Sequence, residues 1–177
     1  MNKTELRTAM LNQRMRIPEM VHVGLSQEAA KRIQDHPFYK QAKHIGIYHP
    51  IKNEMNLLSL KKDQEKIFYL PKVYDHEMHY LKYEEVLKES ELGIYEPVSL
   101  DIYDDQLDLV IVPALAVDKK YHRVGYGKGF FDRFIRAHKH VKTLGVVMSF
   151  QVIEYMTHSN LDEPLHDIIV IPYQGEE

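Results

Sequence analysis

The sequence predicts an α/β fold with a mainly parallel sheet covered by helices. Apolar runs of strand length alternate with segments of helical period along the chain, which is the pattern of such a fold. One run, Leu107 to Pro113 (LDLVIVP), is nearly continuous in apolar residues, as in a parallel strand buried on both faces. A glycine-rich loop from Arg123 and then a helical pattern, Phe130 to Val141, lie downstream of that run. With 177 residues and 44% hydrophobic content, the chain can bury a sizeable core as one domain.

Taken in order, Thr4 to Arg16 and Leu25 to His36 have helical spacing of apolar residues. His44 to His49 (HIGIYH) and Lys66 to Leu70 (KIFYL) are strand-like, with a short helix expected near Met55 to Lys62 between them. Met78 to Tyr83 alternates as an edge strand does, and Leu92 to Pro97 reads as a turn and an extended segment. Thr143 to Met148 and Ile168 to Ile171 complete the apolar strands. In open parallel sheets the ligand lies beyond the carboxyl ends of the strands, and the glycine-rich loop falls there.

That loop, Arg123-Val124-Gly125-Tyr126-Gly127-Lys128-Gly129-Phe130-Phe131-Asp132-Arg133, is the strongest chemical signal in the chain. Glycines at 125, 127 and 129 would permit positive φ and close approach of backbone N–H groups to a ligand. Arg123 and Lys128 would add charge for phosphate oxygens, one as a planar fork and one as a mobile point charge. The helix amino terminus that follows favours anions. The pattern is neither a P-loop nor the dinucleotide fingerprint. The competing reading is a surface turn with incidental cations.

At about 100° per residue, Lys3, Arg7 and Arg14 lie within roughly 40° of one another on the first helix, flanked by Leu6, Met10 and Leu11. Cations that point where the apolar stripe points indicate either an anion at the docking surface or basic side chains snorkelling to water. Two acids stand near these cations in the pattern. Asp132 lies in the first turn after the loop and Asp167 just before the last apolar strand. They could complement a helix dipole and cap a turn, or together hold a phosphate-bound Mg²⁺. The eleven histidines form no compact ligand motif, and most of the twelve tyrosines and six phenylalanines are core candidates.

Lys and Arg total 23 against 26 Asp and Glu, so a general nucleic-acid surface is not expected and any anion site must be local. The absence of cysteine excludes disulfides, thiolate nucleophiles and sulfur metal sites. The first residues are charged throughout and no run approaches membrane-spanning length, so the expectation is a soluble, cytoplasmic protein without a membrane partner.

These residues, taken together, resemble the 5-formyltetrahydrofolate cyclo-ligase (5,10-methenyltetrahydrofolate synthetase) family over nearly the whole chain. The resemblance rests on Lys3-x-x-x-Arg7, Tyr48-x-Pro50 followed by Glu54, Leu70-Pro71, Gly93-Ile94-x-Glu96-Pro97, the Val112-Pro113 to Asp118 segment, Gly125 through Arg133, and His166-Asp167. The chain departs from the family in having Phe130-Phe131 for the usual Tyr-Tyr, and Ala114 and Val117 where a Gly and a Phe are frequent.

The resemblance implies a single-domain, Rossmann-like three-layer fold over residues 1–177 and a ligase using ATP and Mg²⁺; the sequence does not fix the oligomeric state, and a monomer is favoured. Lys3, Thr4, Arg7 and the segment Arg123, Val124, Gly125, Tyr126, Gly127, Lys128, Gly129, Phe130 and Phe131 would bind ATP. Asp132 and Asp167 would hold Mg²⁺. Glu54, His49, Tyr126 and Phe130 would contact 5-formyltetrahydrofolate, and Lys128, Arg123 and Tyr126 would act in catalysis. The implied reaction phosphorylates the formyl oxygen and closes the ring to 5,10-methenyltetrahydrofolate. A non-catalytic folate or nucleotide sensor and an enzyme of the sugar-phosphate isomerase type are the alternatives.

Overall fold

A computed structural model describes residues 1–173 and 175 of the chain. Helices α1 (Lys3–Met15), α2 (Glu19–Asp35) and α3 (Pro37–Gln41) open it. A capping box starts α1: the Asn2 side chain accepts from the Glu5 N–H and the Glu5 carboxylate accepts from the Asn2 N–H, each at 2.9 Å. Pro18 precedes α2, which begins a turn and a half earlier than the apolar spacing suggests. Pro37 occupies the first turn of α3, where its missing N–H has no partner to lose.

Strands β1 (His44–Gly46), β2 (Ile67–Tyr74), β3 (Glu77–Lys82), β4 (Leu87–Glu89), β5 (Tyr95–Pro97), β6 (Leu109–Val112), β7 (Ala116–Asp118) and β8 (Arg123–Val124) follow. Helix α4 (Phe130–Ala137) then leads to β9 (Lys142–Met148), β10 (Val152–Ile153) and β11 (Asp167–Ile171). The helix expected near Met55 is reduced to a 3-10 turn at Leu58–Lys62. α4 stops before Val141 because the His138 ring bonds back to the Phe134 carbonyl at 2.9 Å and the chain turns to enter β9. β2 outruns the expected strand since Asp75 and His76, at φ 45° and 67°, close a two-residue hairpin into β3.

The main sheet has six strands in the order β11-β9-β6-β1-β2-β3. All neighbours are parallel except β3, antiparallel at the edge. The chain leaves β1 toward β2 and later builds β6, β9 and β11 on the other side, so the strand order reverses between β1 and β6. A crevice opens at the carboxyl ends of strands where the order reverses.

Alternation along the strands divides the core. Ile45, Leu109, Ile111, Leu144 and Val146 pack with Ala29 and Ile33 of α2. Val110, Val112 and Tyr80 pack with Phe134 and Ile135 of α4 on the opposite face. The result is helix, sheet, helix in three layers. A second sheet, β10-β7-β8, carries Val124 and Ala116 against Leu6 of α1 and fixes that helix beside the crevice.

Gly46 is where two layers come closest: a Cβ there would stand 2.6 Å from the Tyr80 ring and 3.1 Å from Val110. Gly46→Ala should therefore lower unfolding free energy by about 1–3 kcal/mol. Gly24→Ala, on the exposed side of α2 with nothing within 4 Å, should raise it by about 0.5–1 kcal/mol. Urea denaturation measures both.

Candidate functional site

At the carboxyl end of β1 the chain makes a tight turn through Lys52 and Asn53, both left-handed at φ 46° and 60°. α1 holds that turn from outside: Arg14 Nε donates to the Lys52 carbonyl and Asn53 Nδ2 donates to the Arg14 carbonyl, each at 2.9 Å. The turn delivers Glu54 into a narrow cavity at the crevice, lined also by Tyr48, Pro113, Ala114 and Gln151. One Glu54 oxygen accepts the Ile51 N–H at 3.0 Å and the other accepts the Tyr126 hydroxyl at 3.4 Å. Burial pushes the Glu54 carboxyl above the ordinary carboxylate range, against the pull of Arg14 and Lys52. Burial likewise pushes the Tyr126 hydroxyl up to about 12. His49 packs its ring on Tyr95 with centroids 4.9 Å apart, and its Nδ1 is buried without a partner.

The glycine-rich loop closes the opposite wall. Gly127 and Gly129 have φ of 94° and 70°, and Gly129 serves as the N-cap of α4 with no side chain over the first turn. Gly125 differs from the sequence expectation. It is absent from the positive-φ residues, and it is needed for space, since a Cβ there would lie 2.6 Å from Arg123 Nη1. Arg123 is buried, with Nη2 3.5 Å from an Asp132 oxygen and its guanidinium 5.0 Å from the Phe131 ring centroid. Its Nε is buried with no hydrogen-bond partner. Burial works against the Arg123 charge and Asp132 works for it. Phe130 supports Arg133 in the same way at 5.2 Å, and Lys128 is exposed beside them.

The three cations of α1 all meet this site. Lys3 pairs with Asp162 at 2.7 Å, Arg7 Nε donates to the Gly125 carbonyl at 2.8 Å, and Arg14 Nη2 donates to the Tyr126 hydroxyl. Thr4 is exposed on the same helix and receives the Thr8 hydroxyl at its carbonyl. Docking rather than snorkelling thus accounts for a basic stripe beside an apolar one.

The two acids expected to share Mg²⁺ do not come together. Asp167 opens β11 in register with Leu144, so its side chain lies on the α2 face, where it accepts from His36 Nε2 at 2.8 Å. Asp132 stands on α4, across the sheet, and accepts the Glu163 N–H at 3.2 Å. Asp167 is a tie between the sheet and the junction of α2 and α3. Sequence reasoning missed Asp162, which no local motif marks, and left Arg14 without a role although its position on the basic stripe pointed inward. Among the described residues no group of three His, Asp or Glu converges as a metal-ligand set, and no helix is long and apolar enough to cross a membrane.

A buried guanidinium under a glycine loop, joined through Tyr126 to a buried carboxyl near where the strand order reverses, belongs to a Rossmann-like α/β protein with a crevice at the carboxyl ends of its strands. The model of the 5-formyltetrahydrofolate cyclo-ligase family matches residues 1–171, and the chain belongs to that family of ligases. The 5-formyltetrahydrofolate cyclo-ligase of Haemophilus influenzae is 29% identical over 95% of each chain. That of Escherichia coli K12 is 28% identical over 82% of this chain and 87% of its own. The solved structure of Aquifex aeolicus 5,10-methenyltetrahydrofolate synthetase superimposes with a TM-score of 0.85 at 31% identity, covering 96% of this chain and 90% of the other. The Mycoplasma pneumoniae synthetase shares the fold at TM-score 0.76 and 23% identity, covering 96% and 98%.

Because Glu54 titrates above its ordinary value of 4.5 when folded, the folded chain keeps a proton that the unfolded chain releases. Stability therefore falls as pH rises past that value. Melting temperature followed against pH should show a shallower fall in Glu54→Gln; an unchanged slope would place its origin elsewhere.

Proposed function

We propose that this chain catalyses the ATP- and Mg²⁺-dependent cyclisation of 5-formyltetrahydrofolate to 5,10-methenyltetrahydrofolate, releasing ADP and phosphate. The observation that supports this best is Arg123, a buried cation with a free Nε set under the glycine loop and within one loop of the Glu54–Tyr126 pair. A triphosphate on that loop would bring its terminal phosphate toward a folate held by Glu54, His49 and Phe130.

The formyl oxygen is a poor leaving group. Its attack on the γ-phosphorus breaks the bond to ADP and converts it into a phosphate ester on an iminium carbon. N10 of the folate then attacks that carbon, loses its proton, and phosphate leaves with the oxygen. No enzyme nucleophile is needed, so the chain's work is alignment and neutralisation of charge. Lys3, Thr4, Arg7 and residues Val124 to Phe131 would seat the nucleotide, with Arg123 and Lys128 on the oxygens that gain charge. Tyr126 would orient the folate side.

Mg²⁺ takes oxygen ligands and needs only one or two carboxylates beside phosphate and water. Asp132 fits that demand, being a carboxylate next to the loop whose Oδ2 lies 3.5 Å from Arg123. Bound there, the ion would neutralise phosphate charge. Phe130 and Phe131 lack the hydroxyls of the usual tyrosines yet keep their faces against Arg133 and Arg123, which favours a working site over a vestigial sensor.

Absorbance of the methenyl product should grow when protein, 5-formyltetrahydrofolate and MgATP are mixed, and stay flat without ATP or metal. A folded protein that binds ATP yet gives no signal would point to a sensor. Lys128→Ala should lower kcat by about 10²-fold or more while leaving folate affinity within a small factor; comparable turnover would remove Lys128 from the chemistry. Asp132→Asn should raise the Mg²⁺ concentration needed for half-maximal rate, and Asp167→Asn should leave it unchanged; the reverse pattern would reassign the metal ligand.

A further inference from the structure

Arg14 faces a different part of the site from the other cations of α1. Arg14 is 2% exposed, and its side chain and its carbonyl together meet three groups. Nε donates to the Lys52 carbonyl at 2.9 Å, Nη2 donates to the Tyr126 hydroxyl, and the Arg14 carbonyl receives Asn53 Nδ2 at 2.9 Å. Lys52 and Asn53 are consecutive non-glycine residues in the left-handed region and, unlike Asp75 and His76, lie in no hairpin whose strands would favour that backbone, so their surroundings must hold it. Arg14 holds the turn from both sides, and His22 Nε2 of α2 lies 3.1 Å from the Asn53 carbonyl and 2.9 Å from the Glu54 carbonyl. Since the Tyr126 oxygen accepts from Arg14, its own proton is directed to Glu54, 3.4 Å away.

We propose that Arg14 is a positioning residue for the folate pocket: its guanidinium fork holds the turn that carries Glu54 and the hydroxyl of Tyr126 in one arrangement. This rests on the reading that Glu54 faces the folate. The two anchors lie on segments far apart in sequence, the turn after β1 and the glycine-rich loop. The fork therefore sets the distance between the folate carboxyl and the phosphate loop. Charge alone would not serve, because a lysine ammonium at the end of a flexible stem lacks the planar spread of donors that reaches both oxygens in fixed directions.

Steady-state kinetics of Arg14→Lys, Tyr126→Phe and the double variant, with 5-formyltetrahydrofolate and MgATP varied separately, test the proposal. Each single substitution should raise the folate KM on the order of tenfold and the ATP KM by no more than about twofold, since Tyr126→Phe keeps the ring and backbone that would seat the nucleotide and loses only the hydroxyl. The double variant should be little worse than either single, since both break one chain of contacts. An unchanged folate KM in Arg14→Lys, an equal rise in both KM values, or effects that multiply in the double variant would each overturn it. Tyr126→Phe leaves the Arg14 to Lys52 bond in place, so if Arg14→Lys does not fold, a folate KM unchanged in Tyr126→Phe overturns the proposal and a selective rise supports it. Wild-type protein that binds nucleotide and never consumes the folate would remove the functional reading itself, and the proposal with it.

Discussion

A cation taken out of water with an incomplete set of partners is the constraint on which the site depends. Arg123 is buried, its nearest acid stands 3.5 Å away, and its Nε has nothing to donate to. A buried guanidinium is tolerable only if neighbours supply negative charge and polarisable surface. Each neighbour is visible: Asp132 from the first turn of α4, the face of Phe131, and the space left by Gly125. The loop geometry follows from this, because the chain must pass over the guanidinium before it can turn into α4. An anion in the crevice would complete the set.

The amino-terminal helix is the second half of the same arrangement. Its apolar side docks on β7 and β8 through Leu6, while Lys3, Arg7 and Arg14 reach round to Asp162, the Gly125 carbonyl and the Tyr126 hydroxyl. Hydrophobic docking thus does electrostatic work. The apolar contact fixes where the cations stand, and the cations find acceptors that a helix lying elsewhere would not offer.

What could be read from the sequence follows a physical line. The parallel sheet was legible because strands buried on both faces, such as β6 and β9, must be apolar at nearly every position. The glycine loop and the basic stripe of α1 were legible because close approach and docking leave periodic traces. Contacts made across the fold left none: Asp162 reaches Lys3 from a loop without a motif, and Asp167 was paired with Asp132 by type, although the sheet separates them. The strained turn at Lys52 and Asn53 was also hidden, since neither residue is the glycine that such backbone usually recruits. Gly125 was read for its flexibility and matters for its size.

The ties that complete the site span 159 residues from Lys3 to Asp162, 118 from Arg7 to Gly125 and 112 from Arg14 to Tyr126. Loops of that length close slowly, because the entropy of bringing their ends together is lost before any contact repays it. During synthesis the first helix leaves the ribosome with its basic stripe uncovered and must wait for nearly the whole chain before it can dock. The tie between the first helix and the glycine loop is thus among the last contacts that synthesis makes possible.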